Sequence, residues 1–100
     1  RLPEAEREME SATSVAREIV MLGLRLTTGL RVADYPVTQW REVERRYGPT
    51  LREAVAGGRL VARDGGWALP PALRFVADEV LAWIEARAGR ADLTGPPRTP

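Results

Sequence analysis

Cysteine and histidine are both missing from this chain. Their absence rules out a disulfide framework, thiolate ligation of an iron–sulfur cluster and a cysteine nucleophile. It also removes the usual zinc ligands and the commonest side-chain acid–base catalyst. Lysine and asparagine are missing too, so all 15 basic residues are arginine, a bias that points to a GC-rich coding sequence at the source rather than to a function. No apolar run approaches the roughly 20 residues that span a bilayer, and no signal peptide is visible. The 14 acidic residues leave a net charge of +1, so no global field draws the chain to nucleic acid or membrane. What is present is 44% hydrophobic and 29% charged residues over 100 positions, the balance of one small globular domain with a modest core. The chain opens on Arg1 rather than Met, so the expectation is a piece of a longer protein.

The most patterned stretch is Arg17 to Leu30. Met9, Ala12, Ala16, Ile19, Gly23 and Leu26 recur three and four apart and form one helical stripe, widened by Val15, Val20 and Leu22. Leu24 lies off its centre. Pro3 suits a first turn, and Glu4, Glu6, Glu8 and Glu10 suit the positive end of a helix dipole better than they suit paired catalytic carboxylates. The expected helix runs from about Glu4 to about Thr27, roughly 36 Å. Gly23 costs about 1 kcal/mol inside a helix, so close approach of another element is expected there. Gly29 fits the left-handed position that ends a helix. Glu18 and Arg25 are two turns apart, share a face and cannot bridge each other. They are the candidate contact residues: solvated ions at the core edge, or ties to a loop, a neighbouring domain or a ligand.

Beyond that, Leu30–Ala33 is a short extended piece and Pro36 keeps Tyr35 extended. Thr38 is read as the cap of a second helix to Tyr47, stopped by Gly48, with Trp40 and Val43 facing inward. Thr50 and Glu53 form a capping box for a third helix that ends at Gly57-Gly58. Arg59–Arg63 and Trp67–Leu69 are strands around the tight turn Asp64-Gly65-Gly66. A last helix spans about Ala72 to Ala88, with Leu73, Phe75, Val76, Ala77, Val80, Leu81, Trp83 and Ile84 on its apolar face and Gly89 as its stop. The expected fold is mainly α with a small β-hairpin, winged-helix-like: long first helix, two short helices, hairpin wing, last helix. Residues 1–89 form the domain and 90–100 a flexible tail.

The run Arg-Glu-Ile-Val-Met-Leu-Gly-Leu-Arg-Leu-Thr-Thr-Gly-Leu, residues 17–30, resembles the start of the C-terminal domain of oxygen-independent coproporphyrinogen III oxidase-like radical SAM proteins, a group that includes heme chaperones. Leu51–Gly58 followed by Arg59-Leu60-Val61, then Trp67–Pro71 and Phe75–Leu81, resemble that family's later steps. The resemblance covers roughly residues 10–86. Pro70 and Leu73 depart from the family, which usually has Thr or Ser and Gly there, so the last helix is expected to begin by a different turn. The cluster motif Cys-x-x-x-Cys-x-x-Cys belongs to the family's barrel and is not in this chain.

The resemblance implies a non-catalytic, cytoplasmic accessory domain that packs on the N-terminal barrel of the same polypeptide and helps close its site. It implies a [4Fe–4S] cluster and S-adenosylmethionine in that barrel, with heme or a porphyrin as partner. Arg25 would then meet the barrel or a tetrapyrrole carboxylate. Tyr35, Tyr47, Met9 and Met21 are the only conceivable, and poor, iron ligands here. A competing reading is a winged-helix DNA-binding module using Arg41, Arg45, Arg46, Arg52, Arg59 and Arg63, with Thr50 and Arg52 as base readers. A third is a protein-interaction domain that packs through Met21 and Leu24.

Overall fold

The computed structural model describes the backbone of residues 4–94 and the side chains of residues 4, 7 and 10–90. Helix α1 spans Glu4–Gly23, strand β1 Leu30–Arg31, helix α2 Val37–Ala56, strands β2 Val61–Arg63 and β3 Gly66–Ala68, and helix α3 Ala77–Thr94. Short 3₁₀ turns at Val32–Asp34 and Pro71–Val76 lead into α2 and α3. The mainly α class with a small β ribbon holds, and several details of the expected chain path change. The readings that rest on Pro3 or on the side chains of Glu6, Glu8 and Met9, and the tail beyond Thr94, lie outside the described residues.

Helix α1 stops at Gly23, four residues earlier than the pattern suggested. The last α-type bond runs from the Leu24 amide to the Val20 carbonyl at 3.1 Å, and the next amides, of Arg25 and Leu26, reach back only three residues. Glycine and two threonines give the helix little reason to continue. Pairing of Leu30 with Trp67 in the sheet requires the chain to reverse before it gets there. Past the reversal Leu24 enters the core and Leu26 faces solvent; Leu22, still within α1, faces solvent as well. Among the described residues Ala16, Ile19 and Gly23 keep to the expected stripe, whereas Leu22 and Leu26 depart from it. Gly29 does adopt a positive φ of 80°, but it delivers the chain to β1 rather than ending a helix.

The two short helices are one. Helix α2 continues through Gly48 and Pro49. Its buried residues Trp40, Val43, Tyr47, Leu51 and Ala54 recur every three or four positions, so one apolar stripe crosses the expected break. Thr50 is thus a buried residue within α2 and not a helix cap, and Glu53 pairs with Arg87 of α3 instead of completing a capping box. At the start of α2, Pro36 occupies the cap position assigned to Thr38, and its carbonyl accepts the Trp40 amide at 2.9 Å.

Strands β2 and β3 pair antiparallel, with Arg63 opposite Gly66 across the two-residue turn Asp64-Gly65. Both turn residues have positive φ, 44° and 72°, the geometry whose twist matches a hairpin. Strand β1 pairs on the other edge of β3, which gives the order β1-β3-β2. The extended piece between the first two helices thus becomes a third strand. The last helix begins as a 3₁₀ turn after Pro70, in line with the departures at Pro70 and Leu73. That turn breaks the helical register and leaves Phe75 in solvent instead of on the apolar face. Helix α3 also passes Gly89 and ends at Thr94.

The core lies where α1, α2 and α3 meet under the sheet, with Val20, Leu24, Leu30, Val43, Tyr47, Leu51, Leu60 and Ile84 fully enclosed. Each large apolar side chain buried there contributes about 1.5–3 kcal/mol. Tyr35, Trp40 and Trp67 stack in series, with ring centroids 6.2 and 5.9 Å apart, and join the connector, α2 and β3.

Candidate functional site

The patterned stretch builds its site from a missing side chain. A Cβ on Gly23 would lie 2.7 Å from Leu30 Cδ1 and 3.3 Å from the Tyr35 hydroxyl, so the expected close approach is real. Leu30 can pair with Trp67 only because the chain passes that near to α1. The turn that follows, Leu24–Thr28, is held from the far side of the sequence. Arg25 Nη2 lies 2.7 Å from Asp78 Oδ1, at the start of α3. Arg63 of β2 and Arg74 of the 3₁₀ turn each donate to the Thr27 carbonyl at 3.4 Å. The ion pair of Arg25 is therefore with Asp78 and not with Glu18, which sits exposed on α1.

A second polar cluster ties the three helices. The Tyr47 hydroxyl donates to Glu85 Oε1 at 2.8 Å, and Arg17 Nε donates to Glu85 Oε2. Burial first, then the bond to Glu85, pushes the Tyr47 phenol well above its ordinary range. This hydroxyl therefore stays protonated and keeps donating. The hydrogen bond from Arg17 to Glu85 raises the guanidinium further, so Arg17 remains a cation. On the opposite side Glu53 accepts Arg87 Nε at 3.1 Å, and this bond lowers the carboxyl pKa. Arg59 lies over the Trp83 ring at 4.1 Å.

These contacts account for most of the groups expected to do chemistry. Tyr47 is buried and bound to Glu85, Tyr35 is stacked on Trp40, and Met21 packs against the core. Leu24, expected to meet a partner, is fully buried. Among the described residues no three His, Cys, Asp or Glu side chains converge as metal ligands. The donor set of this chain does not fit an iron–sulfur cluster, which calls for thiolates. Among the described residues no helix is long and apolar enough to cross a membrane.

The DNA-binding reading loses its central feature, because no turn divides α2 into two helices. Several of its arginines are already engaged: Arg45 with Glu42, Arg52 with Glu44 and Arg59 with Trp83. Sequence reasoning missed Arg63 and Arg74 as neighbours of the Leu24–Thr28 turn. For Arg74 the one available signal was the Pro70-Pro71 pair, which interrupts the helical period just before it.

The architecture is that of a small helical domain closed by a three-stranded antiparallel ribbon. The chain belongs to the HemN C-terminal domain family, whose family model matches residues 11–76. It is thus a C-terminal accessory domain of HemN-like radical SAM proteins, which implies an N-terminal partner domain in the same polypeptide. No curated protein and no solved structure matches the chain.

Proposed function

We propose that this domain packs on an N-terminal radical SAM barrel of the same polypeptide and helps close its site, in a cytoplasmic coproporphyrinogen oxidase-like or heme-chaperone protein. The match over residues 11–76 supports this reading, and the matched region includes the whole Gly23 turn. The [4Fe–4S] cluster and S-adenosylmethionine belong to the barrel. This chain has no cysteine or histidine to hold the cluster, and its residues carry no step of the radical chemistry. Their contribution is shape. The Gly23–Leu30–Tyr35 contact fixes the turn; Arg25 and Glu18 are the residues we assign to contact with the barrel or a ligand, and Arg25 is the one suited to a tetrapyrrole carboxylate. Guanidinium–carboxylate pairing supplies the chemistry for the second case.

The coding sequence upstream of Arg1 is the direct test. A Cys-x-x-x-Cys-x-x-Cys segment within a barrel is expected, and its absence would overturn the reading. In the intact polypeptide, deletion of residues 4–94 is expected to spare cluster loading while abolishing substrate turnover or heme binding. Unchanged turnover and binding would remove the closing role.

A further inference from the structure

Three large apolar side chains stay in solvent on two segments that touch: Leu22 and Leu26, 62% and 50% exposed, and Phe75, 86% exposed. The Arg25–Asp78 ion pair and the bond from Arg74 to the Thr27 carbonyl hold these segments together. Two of these exposures have a local cause. Termination of α1 at Gly23 turns Leu26 outward, and the 3₁₀ turn after Pro70-Pro71 turns Phe75 outward. Exposing a phenylalanine almost completely gains the isolated domain nothing, and large apolar side chains left in solvent on adjoining segments are what an interaction site presents.

The charge beside this surface is equally specific. Arg63 and Arg74 come from different elements, yet both reach a single neutral carbonyl at 3.4 Å. Two guanidinium groups share one weak acceptor there, so a carboxylate from outside would be strongly favoured at that point. We infer that Leu22, Leu26 and Phe75 form the face that docks against the N-terminal domain of the same polypeptide, with a carboxylate of that domain seated between Arg63 and Arg74. This inference rests on the accessory-domain reading. The occupant follows from family membership, because a C-terminal domain of this family has that neighbour and the face lies entirely within the matched residues 11–76. Charge complementarity supplies the rim: cations here, an acid on the partner.

Hydroxyl-radical footprinting of the full-length protein tests this within one sample. Val37, 66% exposed and remote in sequence from the face, is the internal reference. Oxidation of Phe75, Leu22 and Leu26 is expected to fall severalfold below what their exposure in the domain dictates, while Val37 reacts freely. Arg74→Glu, which places an acid against the partner's acid, is expected to restore oxidation of Phe75 and leave Val37 unchanged. If Phe75 and the leucines react freely while Val37 or another surface is shielded, this face is wrong and the accessory reading stands. If no surface is shielded in the full-length protein, docking itself fails and both readings fall.

Discussion

Gly23 and Gly48 occupy equivalent places in the sequence, each in the middle of an apolar stripe with helical spacing, yet only one of them ends a helix. At Gly23 the space of the absent side chain is filled by Leu30 and bordered by the Tyr35 hydroxyl, both fixed by the sheet and the aromatic stack. At Gly48 that space is crossed by the Glu44–Arg52 ion pair, which joins residues two turns apart over the bare backbone. Neighbours of the first glycine are core atoms that cannot yield, whereas those of the second are the ends of flexible side chains. A glycine therefore says where another group can come close; what comes close decides whether the helix survives.

Substitutions sharpen that contrast. The largest effect is expected just beyond Gly23. Leu24→Ala should cost about 2–5 kcal/mol in chemical denaturation, because it empties a fully buried site, whereas Leu26→Ala should stay within about 0.5 kcal/mol. Equal losses would mean that α1 runs on past Gly23. Next comes the glycine pair itself. Gly23→Ala should cost about 1–3 kcal/mol through overpacking against Leu30. Gly48→Ala should be neutral or gain up to about 1 kcal/mol, since better helix propensity offsets a weak surface ion pair.

Pro49→Ala should raise the melting temperature, with a gain of about 1–3 kcal/mol, because it returns an amide donor to the interior of a continuous helix. A break at Pro49 would instead make the change neutral or harmful. Tyr47→Phe should cost about 1–2 kcal/mol, the loss of one hydrogen bond to a carboxylate.

The smallest effect is the pH dependence at the far end of α2. Glu53 has its folded pKa lowered from 4.5, chiefly by the hydrogen bond from Arg87. Its contribution is complete above the unfolded value and is lost as pH falls through the folded one. The group is exposed, so the loss is modest. Glu53→Gln should lower stability slightly at neutral pH, leave it unchanged below the folded pKa, and so flatten the acid limb of a stability-versus-pH curve by that small amount.

The order of elements was readable because periodicity is a local property. The spacing of Ala16, Ile19 and Gly23, the Asp64-Gly65 turn and the Val80–Ile84 face each needed only nearby residues. The continuity of α2 was readable too, in the unbroken recurrence of Trp40, Val43, Tyr47, Leu51 and Ala54, but Gly48-Pro49 is the stronger punctuation by rule. The family pattern around Gly23 led directly to the HemN C-terminal domain. The exposure of Leu22 and Leu26 was hidden, since both fit the apolar face of the longer helix that the pattern suggests.

The amino-acid order alone therefore determined the helical class, the hairpin and its turn, and the lack of thiolate and imidazole donors, all of which are properties of single residues or short windows. Only the tertiary structure decided where α1 stops and that Leu22, Leu26 and Phe75 are left in solvent. Those outcomes depend on groups far apart in the chain, Leu30 against Gly23 and Arg74 against Thr27, and long-range packing outweighs local propensity wherever the two disagree.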